Sequence, residues 1–420
     1  MAVCRIKEKT RLIECLRESW EGDPDGLCLL HSRQENKDQD DKFTGAVKDQ
    51  LAAEDYNFRG VFFPGLFSFI GQEFTNKADF SRATFSGVVY FNEATFSSEA
   101  DFNNATFLGE AAFNKATFSG EALFSFVIFS DGAIFRRATF SEKGNFFGVK
   151  ISATGGMLFH SINPAEEKNQ SLPVQANFLF LQQEPGGRVL FHNLSLARAK
   201  FTGTNLRRVE LDRVTWASWW GRAAVYDEIL LHQQRWAHIA YVLKHGGFWG
   251  KRIPGEKVRP EKPSYADFAP VERLYRQLKI NYEEERDFKR VGDFHYGEME
   301  MHRRGSPWRQ WLPFSWHNLY RVLNGYGERP LRAFIWLLLL IPAWAGLVWG
   351  LGIDQAGAQP PVTYGNTLFF ILEKALLQRP AWPEGINWLG KILGSLSVLL
   401  LPGQAALFIL ALRNRLGRRR

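Results

Sequence analysis

The chain has 420 residues, with 52 basic against 44 acidic side chains and a formal charge of +8. That length admits two or three domains, and much of the positive excess lies in Arg413, Arg415, Arg418, Arg419 and Arg420, so it marks one end rather than a basic surface. Three cysteines, Cys4, Cys15 and Cys28, exclude a disulfide framework.

Residues 1–45 are polar and hold every cysteine. The opening stretch lacks the apolar core of a signal peptide, so a cytosolic setting with reduced thiols is expected. Cys28-Leu-Leu-His31 is a Cys-x-x-His pair, and Cys4 and Cys15 could complete a Cys3His tetrahedron for zinc, which staples small domains that lack a core. The other reading is three ordinary cysteines in a helical lead-in. The gaps between the cysteines are looser than a double Cys-x-x-Cys, and spacing alone does not decide. Residues 32–42 read as a solvated linker or helix face.

A ladder of phenylalanines follows, at 74, 80, 85, 91, 96, 102, 107, 113, 118, 124, 129, 135, 140 and 146. Its steps alternate six and five, a period that belongs neither to a helix nor to an ordinary exposed strand. Fixed short self-similarity predicts a solenoid. If each step is one wall of a square coil, four steps, two pairs of six and five, make a turn. The Phe and the small residue two before it (Ala78, Ala83, Ala94, Ala100 and so on) then share the inner face. Pairs such as Ser81-Arg82, Asn92-Glu93, Asn103-Asn104 and Asn114-Lys115 suit the corners.

Ala-Asp-Phe-x-x-Ala-Thr-Phe, at Ala78 to Phe85 and again at Ala100 to Phe107, resembles the pentapeptide-repeat proteins. The resemblance implies a right-handed quadrilateral β-helix with Phe or Leu at the centre of each repeat. It also favours zinc, because many such proteins open with a Cys-rich segment and a Cys-x-x-His before the first coil. The rule returns at Phe191, Leu196, Phe201, Leu206, Leu211 and Trp216. Across 147–190 it is broken, with Ala176-Asn177-Phe178 and Val189-Leu190-Phe191 as coil fragments and Pro164 to Pro173 as an inserted loop.

The β-helix is therefore expected over 46–216 and a helical region over 217–330, with a Gly- and Pro-rich linker at 246–263. Trp219 to Lys244 reads as one helix. From Pro270 to Arg304 the spacing of Leu274, Leu278 and Tyr282, then Phe288, Val291 and Phe294, predicts a helical pair turning or kinking at Val291-Gly292-Asp293. It resembles a single αα-hairpin of the helical-repeat proteins. His295, Glu298 and His302 lie at metal-compatible spacing on that helix, or are simply its polar face.

Residues 331–420 hold two uncharged stretches, Ala333 to Ile353 and Ile392 to Leu412. At 1.5 Å per residue each spans about 31 Å, the thickness of a bilayer core. Arg329 and Arg332 precede the first and five Arg follow the second, while the loop 354–391 is balanced in charge. The positive-inside rule predicts a multi-pass protein of the inner membrane with both ends cytoplasmic.

The apolar stretch Val362 to Gln378 resembles the pore loop of two-helix potassium channels. Their filter motif is absent, however: Gln378-Arg379-Pro380-Ala381 stands in its place, and Thr363-Tyr364-Gly365 and Gly325-Tyr326-Gly327 lie elsewhere. No nucleophile elbow, zincin or P-loop motif is found, so an enzyme is not expected. Some pentapeptide-repeat proteins mimic DNA and inhibit topoisomerases, but Phe74 to Phe146 carries eight acidic and six basic residues, net −2, too weak a field for mimicry. The fold class expected is β plus α-membrane, and the function an anchored, non-enzymatic scaffold. The alternative is a channel-like effector sensed through its coil. The expected partners are the lipid bilayer and a protein, with self-association left open and nucleic acid not expected.

Overall fold

The computed structural model describes residues 4, 15, 17–160, 175–244, 261–306, 316–354 and 361–417. Most of the expected linker 246–263 and the loop Pro164 to Pro173 lie outside the described residues. The chain divides into two compact units, Met1–Leu278 and Lys279–Arg420.

In the first unit the ladder forms a parallel β-solenoid of about six turns. Equivalent residues on successive turns lie side by side: Thr84 beside Phe62 and Thr106, and Ala100 beside Ala78 and Ala122. Each turn contributes to four parallel sheets, one per wall. Rings stack face to face along each wall, Phe80 on Phe102 at 5.0 Å and Phe102 on Phe124 at 4.8 Å. They meet the neighbouring wall edge to face, as Phe102 meets Phe113 at 5.6 Å and 89°. The edge-to-face contacts are those the ring quadrupole favours.

The corners explain the uneven step. The five-residue steps turn on a left-handed residue, Arg82, Asn104 and Phe126 on one edge and Glu93, Lys115 and Arg137 on another. The six-residue steps turn without one, and need an extra residue. At the Arg82 and Asn104 corners an Asx side chain accepts from the backbone two residues on, as Asp101 Oδ1 does from Asn103 N at 2.9 Å.

The coil also starts earlier than the ladder read from the sequence. Phe58, Phe63 and Phe69 stack on Phe80, Phe85 and Phe91. Extra phenylalanines hide the pattern there. Phe67 occupies the column of small residues that continues as Val89, Ala111 and Ala133. A large side chain fits because no coil lies before it; instead Phe43 packs on Phe63 and Phe67. Phe43 belongs to helix α1 (Lys42–Ala52), so residues 46–52, expected in the β-helix, are helical.

The other end is closed by a hairpin, Ala217–Trp219 with Arg222–Ala224, and by α2 (Tyr226–Lys244). The helix expected from Trp219 thus begins only at Tyr226. Trp220 and Gly221, at φ 51° and 73°, make the two-residue turn instead. Asp227 at the start of α2 accepts from Phe201 N at 3.1 Å, Thr202 N at 3.0 Å and the Thr202 hydroxyl, occupying donors the last coil would leave open. Beside it Glu228 takes both oxygens to Arg222 at 2.5 and 2.6 Å and accepts from the Tyr275 hydroxyl, all buried. Tyr275 lies on α3 (Tyr265–Glu284).

In the second unit α4 (Phe288–Arg304) runs unbroken through Val291-Gly292-Asp293, where a turn was expected. The break falls at Arg286, φ 60°, and Asp287 caps α4 by accepting from Arg290 N at 3.1 Å. Then come α5 (Trp316–Asn324), α6 (Pro330–Leu351), α7 (Tyr364–Ala375) and α8 (Trp388–Gly417). α6 and α8 are antiparallel: Gln404 donates to Ala333 O at 3.0 Å and Trp344 to Leu393 O at 3.0 Å. They close on Gly352 and Gly390, where a Cβ on Gly352 would stand 2.5 Å from Gly390 Cα. α7 packs on both through Ala345, Val348, Phe370, Ile371 and Leu401.

Buried Glu300 of α4 binds Arg303 and Arg304 at 2.7 Å and lies 3.7 Å from Arg321. Burial alone would raise its carboxyl, but hydrogen bonding by Arg303 and the charges of Arg304, Arg303 and Arg321 outweigh it and hold the pKa at about 2.

Two outcomes are expected. Phe102→Ala should cost about 3–5 kcal/mol by opening a cavity in the ring column, read as a lowered thermal midpoint of the full chain. Phe126→Asn should change stability by less than about 1 kcal/mol, since Asn tolerates the left-handed corner that half-exposed Phe126 holds at φ 57°. Second, Glu300 is depressed on folding. Its contribution is complete above an unfolded value of about 4.3 and is lost as pH falls toward 2. The midpoint of the wild type should therefore drop more steeply over that window than that of Glu300→Gln.

Candidate metal centre

The four residues singled out by type meet in space. The Sγ atoms of Cys4, Cys15 and Cys28 and a ring nitrogen of His31 all lie within 4.8 Å of one another, and all four residues are buried. The local backbone explains how. Asp23 Oδ1 accepts from Asp25 N and Leu27 N, forming a tight turn that returns Trp20 to pair with Leu27. The next turn brings His31 N and Ser32 N to Cys28 O at 3.1 and 2.9 Å, which sets the Cys-x-x-His side chains side by side. Cys4 is carried in by a bond from its N to Arg17 O at 2.9 Å.

Cys15 Sγ is 3.8 Å from Cys28 Sγ, Cys4 Sγ is 3.8 Å from His31 Nδ1, and Cys28 Sγ is 3.1 Å from the same nitrogen. A tetrahedral ion with bonds of about 2.3 Å to sulfur and 2.0 Å to nitrogen would set edges of about 3.8 and 3.5 Å. Three of the six donor separations lie within a few tenths of an ångström of those edges, and all six lie within 4.8 Å, a set compatible with a tetrahedral ion. The surroundings fit as well. His31 Nε2–H donates to Arg59 O at 3.1 Å, which fixes the tautomer and leaves the Nδ1 lone pair facing the sulfurs. Cys28 N–H points at Cys4 Sγ at 3.2 Å.

Burial, the largest influence, holds the His31 imidazole below its ordinary value. Burial and the neighbouring Cys15 and Cys4 push the Cys28 thiol up to about 12, against a lowering backbone hydrogen bond at His31. A dication supplies what such a thiol needs in order to ionise.

Sequence reasoning missed Lys37. It is almost wholly buried, donates to Leu30 O and Ser32 O at 2.8 Å each, and lies over the Phe43 ring at 4.2 Å. A lysine in a charged run reads as a solvated face; only the fold shows it tying the Cys-x-x-His turn to α1. The other metal-compatible set does not assemble. Glu298 pairs with Lys279 at 2.7 Å and lies 4.0 Å from His295, and among the described residues only the Cys4 group gathers three or more such ligands.

The chain thus carries a four-walled parallel β-solenoid with a Cys3His cluster in the segment before its first coil. The family model described as pentapeptide repeats (9 copies) matches residues 69–117, and the coil is a pentapeptide-repeat solenoid. No curated protein and no solved structure matches the chain.

Proposed function

We propose that this chain is a membrane-anchored, non-enzymatic scaffold whose coil presents a rigid surface to a protein partner. One observation carries the reading. In the most apolar windows of α6 and α8 only 11% and 22% of residues are buried, whereas the core helix of a soluble protein would be mostly covered. Lipid is the solvent that suits such helices. The arginines at their ends favour a topology with both termini on the cytoplasmic side of the inner membrane.

The coil offers an apolar corner for a partner. Phe126 and Phe180 are half-exposed at φ 57° and 55°, and Phe147 bridges them at 5.1 and 5.6 Å. Two phenylalanines held exposed in a conformation that costs them energy are better explained by binding than by folding. In the same reading Cys4, Cys15, Cys28 and His31 hold zinc as a structural staple.

A channel-like effector is the second reading, and α7 favours it: this short apolar helix folds back onto both α6 and α8 instead of looping into solvent.

Purified full chain should carry about one equivalent of zinc. Cobalt in its place should give thiolate charge-transfer and tetrahedral ligand-field bands, and Cys28→Ser should lose both the metal and the protease resistance of the N-terminal segment. Metal-free protein with unchanged resistance would defeat the staple. The full chain should also stay with membranes through an alkaline wash, and its recovery in the soluble fraction without detergent would defeat the anchor. In proteoliposomes the scaffold passes no ions; a flux abolished by substitutions within 362–378 would establish the channel instead.

A further inference from the structure

We propose that the junction of α5, the start of α6 and the end of α8 binds the headgroup of an anionic phospholipid. The proposal rests on the reading of α6 and α8 as membrane spans and adds the lipid class they select.

α5 has two unlike faces. Its polar face is used inside the protein: Asn318 Oδ1 accepts from Arg303 Nη1 at 3.1 Å, and Arg321 lies 3.7 Å from Glu300. Its other face leaves Leu319 and Val322 exposed, three residues apart and therefore neighbours on one side. The first turns of α6 add exposed Leu331, Phe334 and Ile335. An apolar surface thus continues from the spanning helix onto a helix that does not span, the form of a segment lying in the membrane interface.

Cations rim this surface. Arg332 Nη1 donates to Arg321 O at 3.3 Å, and the Arg329 guanidinium sits 5.9 Å from the Tyr296 ring. Arg413 comes from the end of α8, which is held here by Asn414 Nδ2 donating to Gly327 O at 3.4 Å. Gly327 follows Gly325 and Tyr326 in a run of three left-handed residues, a tight turn that lets α5 and α6 meet. Among the described residues none of Arg329, Arg332 and Arg413 pairs with a carboxylate. Glu300 is occupied by Arg303, Arg304 and Arg321, and the Glu328 carboxyl lies toward Gly292 of α4. Three uncompensated guanidinium groups beside an exposed apolar strip match a molecule with an anionic head and acyl chains. Free phosphate would use only the first half of the site.

The full chain would be placed in nanodiscs of phosphatidylcholine alone and of phosphatidylcholine with phosphatidylglycerol, and its thermal midpoint measured. The expected result is a midpoint about 2–4 °C higher with the anionic lipid. Arg329→Gln, Arg332→Gln and Arg413→Gln together should cancel that increment while keeping the midpoint in the neutral disc, which shows that the variant folds. The same three positions changed to Lys should keep most of it, and so should Arg418, Arg419 and Arg420 changed to Gln, since general attraction of the tail is not the site. Equal midpoints in the two discs, or an increment that the Gln variant at 329, 332 and 413 retains, would overturn the proposal. So would inorganic phosphate reproducing the increment in neutral discs. A chain that enters no disc at all refutes the membrane reading itself, an outcome distinct from entry without lipid preference.

Discussion

The first unit depends on one constraint: after each turn the chain must stand directly above itself, so that Phe102 meets Phe80 below and Phe124 above. Parallel strands about 4.8 Å apart set the rise, and ring centroids 4.6–5.1 Å apart along the Phe63, Phe85, Phe107, Phe129 column show the side chains obeying it. Everything else in the coil follows. A column of large rings needs a column of small residues beside it. Closing four walls with steps of six and five requires two corners to be one residue shorter, which left-handed residues achieve here. The return lengthens between Lys143 and its neighbour Gln175 on the next turn, and among the described residues the sheet through Glu73, Thr95 and Thr117 has Thr139–Phe140 as its last strand.

A stack that grows by repetition has no internal reason to stop, and its ends expose both aromatic faces and unpaired amides. The two ends are closed by different chemistry. At the last coil Asp227 takes the backbone donors, and the buried Arg222, Glu228 and Tyr275 set fixes the hairpin and α2 around it. At the first coil α1 covers the rings, and the Cys3His segment joins through Phe62 N to Leu30 O and His31 Nε2 to Arg59 O. That segment is too short to bury a core of its own. A staple is the economical way to give it shape, which is why the cluster reads as structural rather than catalytic. All four side chains would be ligands, with no position left open.

What the sequence discloses depends on whether the deciding contact is local. The ladder is legible because each residue repeats its own environment, so Phe74 to Phe146 states the fold at every step. The apolar runs of α6 and α8 are legible because their length and uncharged composition are themselves the signal. The Cys28 and His31 pair is legible from one turn of chain, but Cys4 and Cys15 join it through contacts such as Cys4 N to Arg17 O that no spacing announces. The first coil is hidden because its end position admits Phe67 where the rule demands a small residue. The closing set at the other end is hidden because Tyr275 joins Arg222 and Glu228 from 47 residues beyond Glu228, and each alone reads as surface.

The two units distribute their apolar side chains in opposite ways. In the coil, aromatic rings fill the interior and polar corners face out. In the second unit, polar groups on the apolar helices find backbone carbonyls, Gln404 and Trp344 from within the helix pack and Trp349 and Tyr364 on its exposed side. Gln404 donates to Ala333, Trp344 to Leu393, Trp349 to Val362 and Tyr364 to Pro342, while leucines cover the outside. A buried donor needs a partner whatever the outer solvent, and an exposed one would need it in hydrocarbon. Gly352 against Gly390 lets the two helices meet backbone to backbone, since a Cβ on either would collide with the other chain segment. The chain thus joins a part whose apolar side chains lie inside to a part that leaves leucines exposed along α6 and α8, with Arg329, Arg332 and Arg413 at the ends of those helices.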